Sequence, residues 1–207
     1  MIIVYHLNES RSHRILWLLE ELGLPYEVRA YRRDAKTRLA PPELLAVHPL
    51  GKAPVIEDNG VVIHESGAIV DYLVRRTGGQ LQPDPAGPDY ARYVQWLHYA
   101  EGSAMLPLML SMYVGRLGKA GAPLHPRIDS EIGNHLSYID GALAGRDYLV
   151  ANQFTAADVQ LSFVGEVAGA FGLRSQYAHL DRWLTGLQAR PAYARAVERG
   201  GPYLMGG

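Results

Sequence analysis

The chain has 207 residues, 48% of them hydrophobic, with 20 basic residues against 21 acidic ones and a formal net charge of -1; this composition belongs to globular proteins and excludes a disordered chain. So even a balance leaves no overall field to hold the molecule on nucleic acid or an acidic membrane, and any anion site must be local. There is no cysteine, which removes disulfides, thiolate metal sites and every reaction in which the protein supplies its own sulfur nucleophile.

The first residues, Met1 to Tyr5, carry no basic n-region and no cleavage-type sequence, and they read as a strand from Ile2. No apolar run approaches the roughly 18 residues that a bilayer crossing needs, and the reading is of a cytoplasmic protein. Ile2 to Leu7 is β-rich. Ile15, Leu16, Leu18, Leu19 and Leu22 then recur at helical spacing up to Gly23, a natural stop with Pro25 behind it. Tyr26 to Ala30 reads as a second strand, and Pro41-Pro42-Glu43 opens a short helix ending near His48-Pro49. Pro54 to Glu57 and Val61 to Ile63 are short strands joined by Asp58-Asn59-Gly60, where Asn-Gly suits a tight hairpin because it tolerates positive φ. A helix follows from about Ser66 to Arg76. The order is βαβ followed by ββα, with the first strand pair parallel and the last a hairpin.

Gly78-Gly79 and the stretch from Gln82 to Pro88 break every periodicity, so the chain divides into a domain over residues 1–78, a linker over 79–88 and a helices-only domain over 89–207. Tyr90, Tyr93, Val94 and Leu97 mark one apolar helix face, and Ile128, Ile132, Leu136 and Ile139 mark another. Pro107 should kink or divide the first of these helices. Phe154-Thr155-Ala156-Ala157-Asp158-Val159 has the layout of a helix start, with Thr155 as cap and Asp158 as reciprocal acceptor, a structural role.

Four stretches carry a resemblance to a known family: Tyr5-His6-Leu7-Asn8-Glu9-Ser10-Arg11-Ser12-His13-Arg14, His48-Pro49-Leu50-Gly51-Lys52-Ala53-Pro54-Val55-Ile56, Glu65-Ser66-Gly67-Ala68-Ile69 and Phe154-Thr155-Ala156-Ala157-Asp158. In this order they resemble the glutathione S-transferases, and the first is most similar to the serine-type bacterial and fungal members. The resemblance implies a thioredoxin-like α/β domain before an all-α helical domain. It also implies transfer of the glutathione thiolate to an electrophilic small molecule, a two-fold homodimer, and glutathione as co-substrate with no tightly bound cofactor.

The same resemblance implies roles for individual residues. The Ala53–Pro54 bond would be cis, turning the Ala53 N–H and C=O toward an extended tripeptide in the manner of an added strand. The uncovered N–H groups at the start of the Ser66 helix would receive the γ-glutamyl carboxylate, with the Ser66 hydroxyl as a further donor and Glu65 holding the ligand amine. Lys52 would meet the glycyl carboxylate, and one of Arg29, Arg32, Arg33, Lys36 and Arg38 could add a second cation. A free thiol with a pKa near 8.5 is only a few per cent ionised at neutral pH, and lowering it by about two units requires roughly 2.7 kcal/mol. Ser10, ahead of the first helix, stands where serine-type relatives carry the activating hydroxyl; Ser12 and Asn8 are rivals, whereas Tyr5 reads as a core residue of its strand. Leu106, Met109, Met112 and Tyr113 are candidates for the wall of the electrophile site, with core packing as the competing reading. Glu101 is a weaker candidate for contact with the ligand amine across a dimer.

Eight histidines are present, but none forms an H-E-x-x-H set, and no metal site is expected. Two further readings remain: glutathione-dependent reduction of peroxides or disulfides, and a non-catalytic binding module on the same fold.

Overall fold

β1 (Ile2–Leu7) is buried except at Ile3, and its nearly continuous apolar run is that of a strand covered on both faces. It lies at the centre of a four-stranded sheet of order β2-β1-β3-β4. β2 (Tyr26–Tyr31) runs parallel to it, with Ile2 opposite Tyr26 and Leu7 opposite Tyr31. β3 (Val55–Asp58) is antiparallel on its other side, with Tyr5 opposite Val55, and β4 (Val61–His64) forms the exposed edge. Asn59 and Gly60 have φ of 51° and 79°, the positive pair that a two-residue hairpin turn needs.

In this computed structural model, which describes residues 1–201, α1 (Ser12–Leu22) is buried at nine of its positions, Ser12 to Leu19 and Leu22. A helix buried at almost every position, polar residues of its first turn included, must be covered on nearly every side. It packs on β1, on α2 (Ser66–Arg76) and on α8 (Pro191–Gly200). Glu20 and Glu21 at its end meet arginines of the last helical segment: Arg190 forms a fork with Glu21 at 2.6 and 2.8 Å, and Arg195 reaches Glu20 at 2.7 Å.

This pairing changes the division of the chain. The sequence reads as one helical domain from 89 to 207, but the compact units are residues 1–82 together with the segment from Leu187, and residues 83–186. The boundary falls within the 79–88 stretch, and α8 belongs to the first unit because α1 has no face to leave to water. Residues 202–207 lie outside the described part.

The second unit is helical throughout: α3 (Tyr90–Tyr99), α4 (Met105–Gly115), α5 (His125–Ala142), α6 (Ala156–Ala170) and most of α7 (Ala178–Gln188). The division expected at Pro107 comes earlier, as a π-helical turn over Ala100–Ala104. The proline ring crowds the carbonyl four residues back, at Ser103, and the wider π turn takes up that crowding. α6 is buried from Ala156 to Ala168 and starts at a capping box. The Asp158 carboxylate accepts from Thr155 N–H (2.9 Å), Thr155 Oγ1 (3.1 Å), Leu149 N–H (3.1 Å) and Trp183 Nε1–H (3.0 Å). Desolvation raises its pKa to about 6 despite these four donors. No helix among the described residues is long and apolar enough to cross a membrane.

Candidate functional site

Most of the candidate residues sit in the first unit, on three loops at the ends of β1, β3 and β4. The loop after β1 is fixed from below. Asn8 N–H donates to the Tyr31 carbonyl at 3.2 Å, and Arg33 closes the loop from the side. The Arg33 backbone N–H donates to Asn8 Oδ1 (2.8 Å), and its guanidinium donates to the carbonyls of Asn8 (3.1 Å), Glu9 (3.2 Å) and Arg38 (3.0 Å). The sequence offers Arg33 as a possible ligand cation, whereas the structure makes it a clamp on the loop. Glu9 has φ of 51°, a left-handed backbone that non-glycine residues seldom adopt.

Ser10 and Ser12 are both buried, at 5% and 0% exposure, and their hydroxyls lie 2.7 Å apart. Ser10 Oγ donates to the Leu7 carbonyl at 2.7 Å and accepts from Ser12 N–H at 3.2 Å, which satisfies one donor at the start of α1. Ser12 Oγ lies 2.9 Å from His6 Nδ1. The rivalry among Asn8, Ser10 and Ser12 therefore has a geometric form: the two serines are linked, and the Asn8 carbonyl oxygen is occupied by Arg33.

Tyr5 behaves as a core residue. Its ring packs with Leu7, Leu44 and Val55, and its hydroxyl donates to Glu57 at 2.8 Å. Burial, with the Glu57 carboxylate beside it, raises its pKa, and its one hydroxyl proton is committed to that carboxylate. Arg29 is also engaged, with Glu27 at 3.3 Å and with the Tyr5 hydroxyl at 3.3 Å.

The Ala53–Pro54 peptide bond is cis, as the resemblance implies. Among the described residues neither the N–H nor the C=O of Ala53 makes a hydrogen bond within the chain. Lys52 is exposed beside it.

α2 begins at the third loop. Glu65 caps it with φ 68° and ψ 116°, a strained backbone of the kind that collects at binding sites. Its side chain is 72% exposed and lies 3.7 Å from His64 Nδ1, and the His64 ring packs against His48 with centroids 4.1 Å apart. Ser66 behind it is buried, and its hydroxyl accepts from Arg14 Nη2 at 2.7 Å. Arg14 is 1% exposed, so a buried guanidinium holds Ser66 at the helix N-terminus. In sequence Arg14 follows the polar residues Ser12 and His13 at the head of the helix, and nothing local marks it as buried; a guanidinium so buried requires partners such as Ser66.

In the second unit, Leu106, Met112 and Tyr113 are exposed at 56%, 37% and 53% on α4, and Met109 is half-buried, so these residues are not core. Leu106 lines a hollow of 330 Å³ with Leu110, Ile128, Arg127, Glu131 and His135, whereas Met109, Met112 and Tyr113 do not line it. Glu101 is half-buried in the π turn. No group of three or more possible metal ligands occurs among the described residues.

A mixed sheet of this order with a cis-proline ahead of β3, followed by a helical unit, is a thioredoxin-like domain joined to an all-helical one. Comparison with known proteins gives the family. The chain matches the model of the glutathione S-transferase N-terminal domain over residues 1–75 and that of the C-terminal domain over 104–191. It is 35% identical to glutathione S-transferase 3 of Schizosaccharomyces pombe over 96% of this chain and 88% of that one. To glutathione S-transferase 1 of Saccharomyces cerevisiae it is 30% identical over 96% and 95%. Among solved structures, a glutathione S-transferase of Actinobacillus pleuropneumoniae superposes with a TM-score of 0.88 at 34% identity, covering 99% of this chain and 94% of that one. A family member from Pseudomonas fluorescens, solved with two glutathiones bound, gives 0.79 at 28% identity, covering 95% and 92%. The chain belongs to the glutathione S-transferase family.

Proposed function

We propose that the protein is a glutathione transferase that adds the glutathione thiolate to electrophilic small molecules. The observation that carries this reading is one unit holding an unpaired Ala53 backbone at a cis-proline, a helix N-terminus at Glu65–Ser66 and a hydroxyl at the mouth of α1. The tripeptide would pair with the Ala53 N–H and C=O. Its γ-glutamyl carboxylate would meet the first turn of α2 and Ser66, its amine Glu65, and its glycyl carboxylate Lys52. The sulfur would then lie at Ser10, where the positive end of α1 favours negative charge.

Glutathione is the co-substrate, and this reading requires no tightly bound cofactor. The exposed apolar side chains of α4, Leu106, Met112 and Tyr113 with Met109, are the proposed wall for the electrophile. Family likeness supports a homodimer acting in the cytoplasm.

The test pairs titration calorimetry of glutathione with turnover of a halogenated nitroaromatic. Ser10→Ala should lower kcat far more than it weakens binding; unchanged turnover would remove Ser10 from the mechanism. Glutathione-dependent reduction of peroxides or disulfides is a second reading: with no cysteine in the chain a mixed disulfide with the protein is excluded, and a second glutathione would have to complete the exchange. A neighbour that holds two glutathiones provides a precedent in its own structure. Parallel assays with a disulfide and a hydroperoxide separate the two.

A further inference from the structure

We propose that His6 is the proton store for the thiol, reached through Ser12 and Ser10; this rests on the proposed glutathione site. Proton positions follow from the partners. The Gly200 carbonyl, 3.0 Å from His6 Nε2, can only accept, so Nε2 carries hydrogen. In a neutral ring Nδ1 is then an acceptor, and the Ser12 hydroxyl, which also reaches the Leu7 carbonyl at 3.1 Å, can donate to it at 2.9 Å. Ser12 Oγ has Leu7 N–H donating to it at 3.1 Å and faces Ser10 Oγ at 2.7 Å. The proton of Ser10 goes to the Leu7 carbonyl or to Ser12 Oγ, both inward. With His6 neutral, Ser10 therefore presents a lone pair to an incoming thiol.

Ser10 Oγ–H can turn from the Leu7 carbonyl toward a thiolate by rotation alone, but for the thiol's own proton to stay in the protein the serine–histidine hydrogen bonds must reverse. Ser12 Oγ then donates to Ser10 and accepts from Nδ1–H, and the ring is an imidazolium. The two arrangements differ by one proton, that of the thiol. The S–H bond breaks and its proton passes to Ser10 Oγ, the Ser10 proton to Ser12 Oγ, and the Ser12 proton to Nδ1. Thiol plus imidazole becomes thiolate plus imidazolium, with no other reactant. After the sulfur has attacked, the proton returns by the same chain to the product or to water.

The surroundings of His6 favour coupling to the thiol over independent titration. Burial lowers its pKa and the Gly200 carbonyl opposes that shift, so the cation is disfavoured until an anion forms opposite. The titratable neighbour from α1 is His13, which burial keeps neutral; α8 presents the Gly200 carbonyl, and the β2 residue in register is Ala30. A glycine at 200 is what lets the carbonyl approach, because a Cβ there would fall 2.8 Å from Leu16 Cδ1 and 3.3 Å from His6 Nε2.

The decisive measurement is a proton inventory on the wild-type protein. Thiolate formed on glutathione binding is read from its ultraviolet absorption, and protons released are read by calorimetry in buffers of different ionisation enthalpy. A relay retains the proton, so release should stay well below the thiolate formed; release equal to thiolate overturns the proposal. His6→Gln, which hydrogen-bonds but does not titrate, should bind glutathione within about threefold of wild type. Its thiolate fraction near neutral pH should drop by about tenfold, a rise of about one unit in the apparent thiol pKa. Turnover of the variant should recover at high pH, where the thiol ionises unaided; an unchanged pH profile also overturns the proposal. A wild type that binds no glutathione would refute the binding site itself, an outcome distinct from either of these.

Discussion

His13 gives a direct test of how burial in α1 controls stability. Its ring is 2% exposed, packs edge-on against Tyr193 at 5.1 Å, and has its pKa lowered to about 3 by desolvation, with His6 adding to the shift. An imidazole kept neutral in the folded state takes up its proton only on unfolding, so stability from this group is complete above the unfolded pKa near 6.5 and drains away as pH falls toward about 3. Between about pH 7.5 and 5 the loss is about 2 kcal/mol. Asp158 acts in the opposite sense. With its folded pKa raised to about 6, the folded state binds a proton before the unfolded one does, which returns about 1.4 kcal/mol over the same interval. The wild-type profile alone therefore hides the effect. The difference between wild type and His13→Leu isolates it, since Asp158 is common to both. Urea unfolding at three pH values should show the variant gaining about 2 kcal/mol on wild type from about pH 7.5 to 5. A difference that stays constant to within about 0.5 kcal/mol would show that His13 is already hydrated in the native protein and refute the burial argument.

Three other outcomes are expected. Glu21→Ala removes the acceptor of the Arg190 fork and of Trp17 Nε1–H and should cost about 2 to 4 kcal/mol in urea unfolding, whereas Glu27→Ala, losing only an exposed contact with Arg29, should cost under about 1. Arg33→Ala releases the carbonyls of Asn8, Glu9 and Arg38, and steady-state kinetics should show KM for glutathione rising about five- to tenfold with less change in kcat. Lys52→Gln should weaken glutathione by about five- to tenfold in calorimetry, with most of the difference gone at high salt.

What was legible in the sequence was local. Gly23, with φ 64°, ends α1, and the Asn59-Gly60 turn fixes the hairpin; both are conformational demands that a few adjacent residues express by themselves. The cis bond at Ala53–Pro54 was not legible in that way: an X-Pro bond by itself favours trans, and only the family resemblance implied cis. The placement of α8 was not legible either, because the Arg190–Glu21 fork joins residues 169 apart in the chain. The setting of Ser12 was hidden for an equivalent reason: it meets His6, whose ring in turn meets a carbonyl at Gly200. Arg33 stood undistinguished among five basic residues, because charge is visible in sequence whereas the carbonyls that its guanidinium meets are not. Pro107 correctly announced a disturbance in the helix, but where the chain absorbs it depends on which turn can widen.

The return of the last helix to the first unit also governs the order in which the protein can be built on the ribosome. The strands and α1 are synthesised first, yet the surface that seals α1 is encoded more than a hundred residues later. The helical unit therefore finishes emerging while its predecessor still has an open apolar flank. A protein cut at residue 82 would carry that flank permanently, so residues 1–82 should be insoluble when expressed alone and recover when a peptide spanning residues 187–201 is supplied in trans.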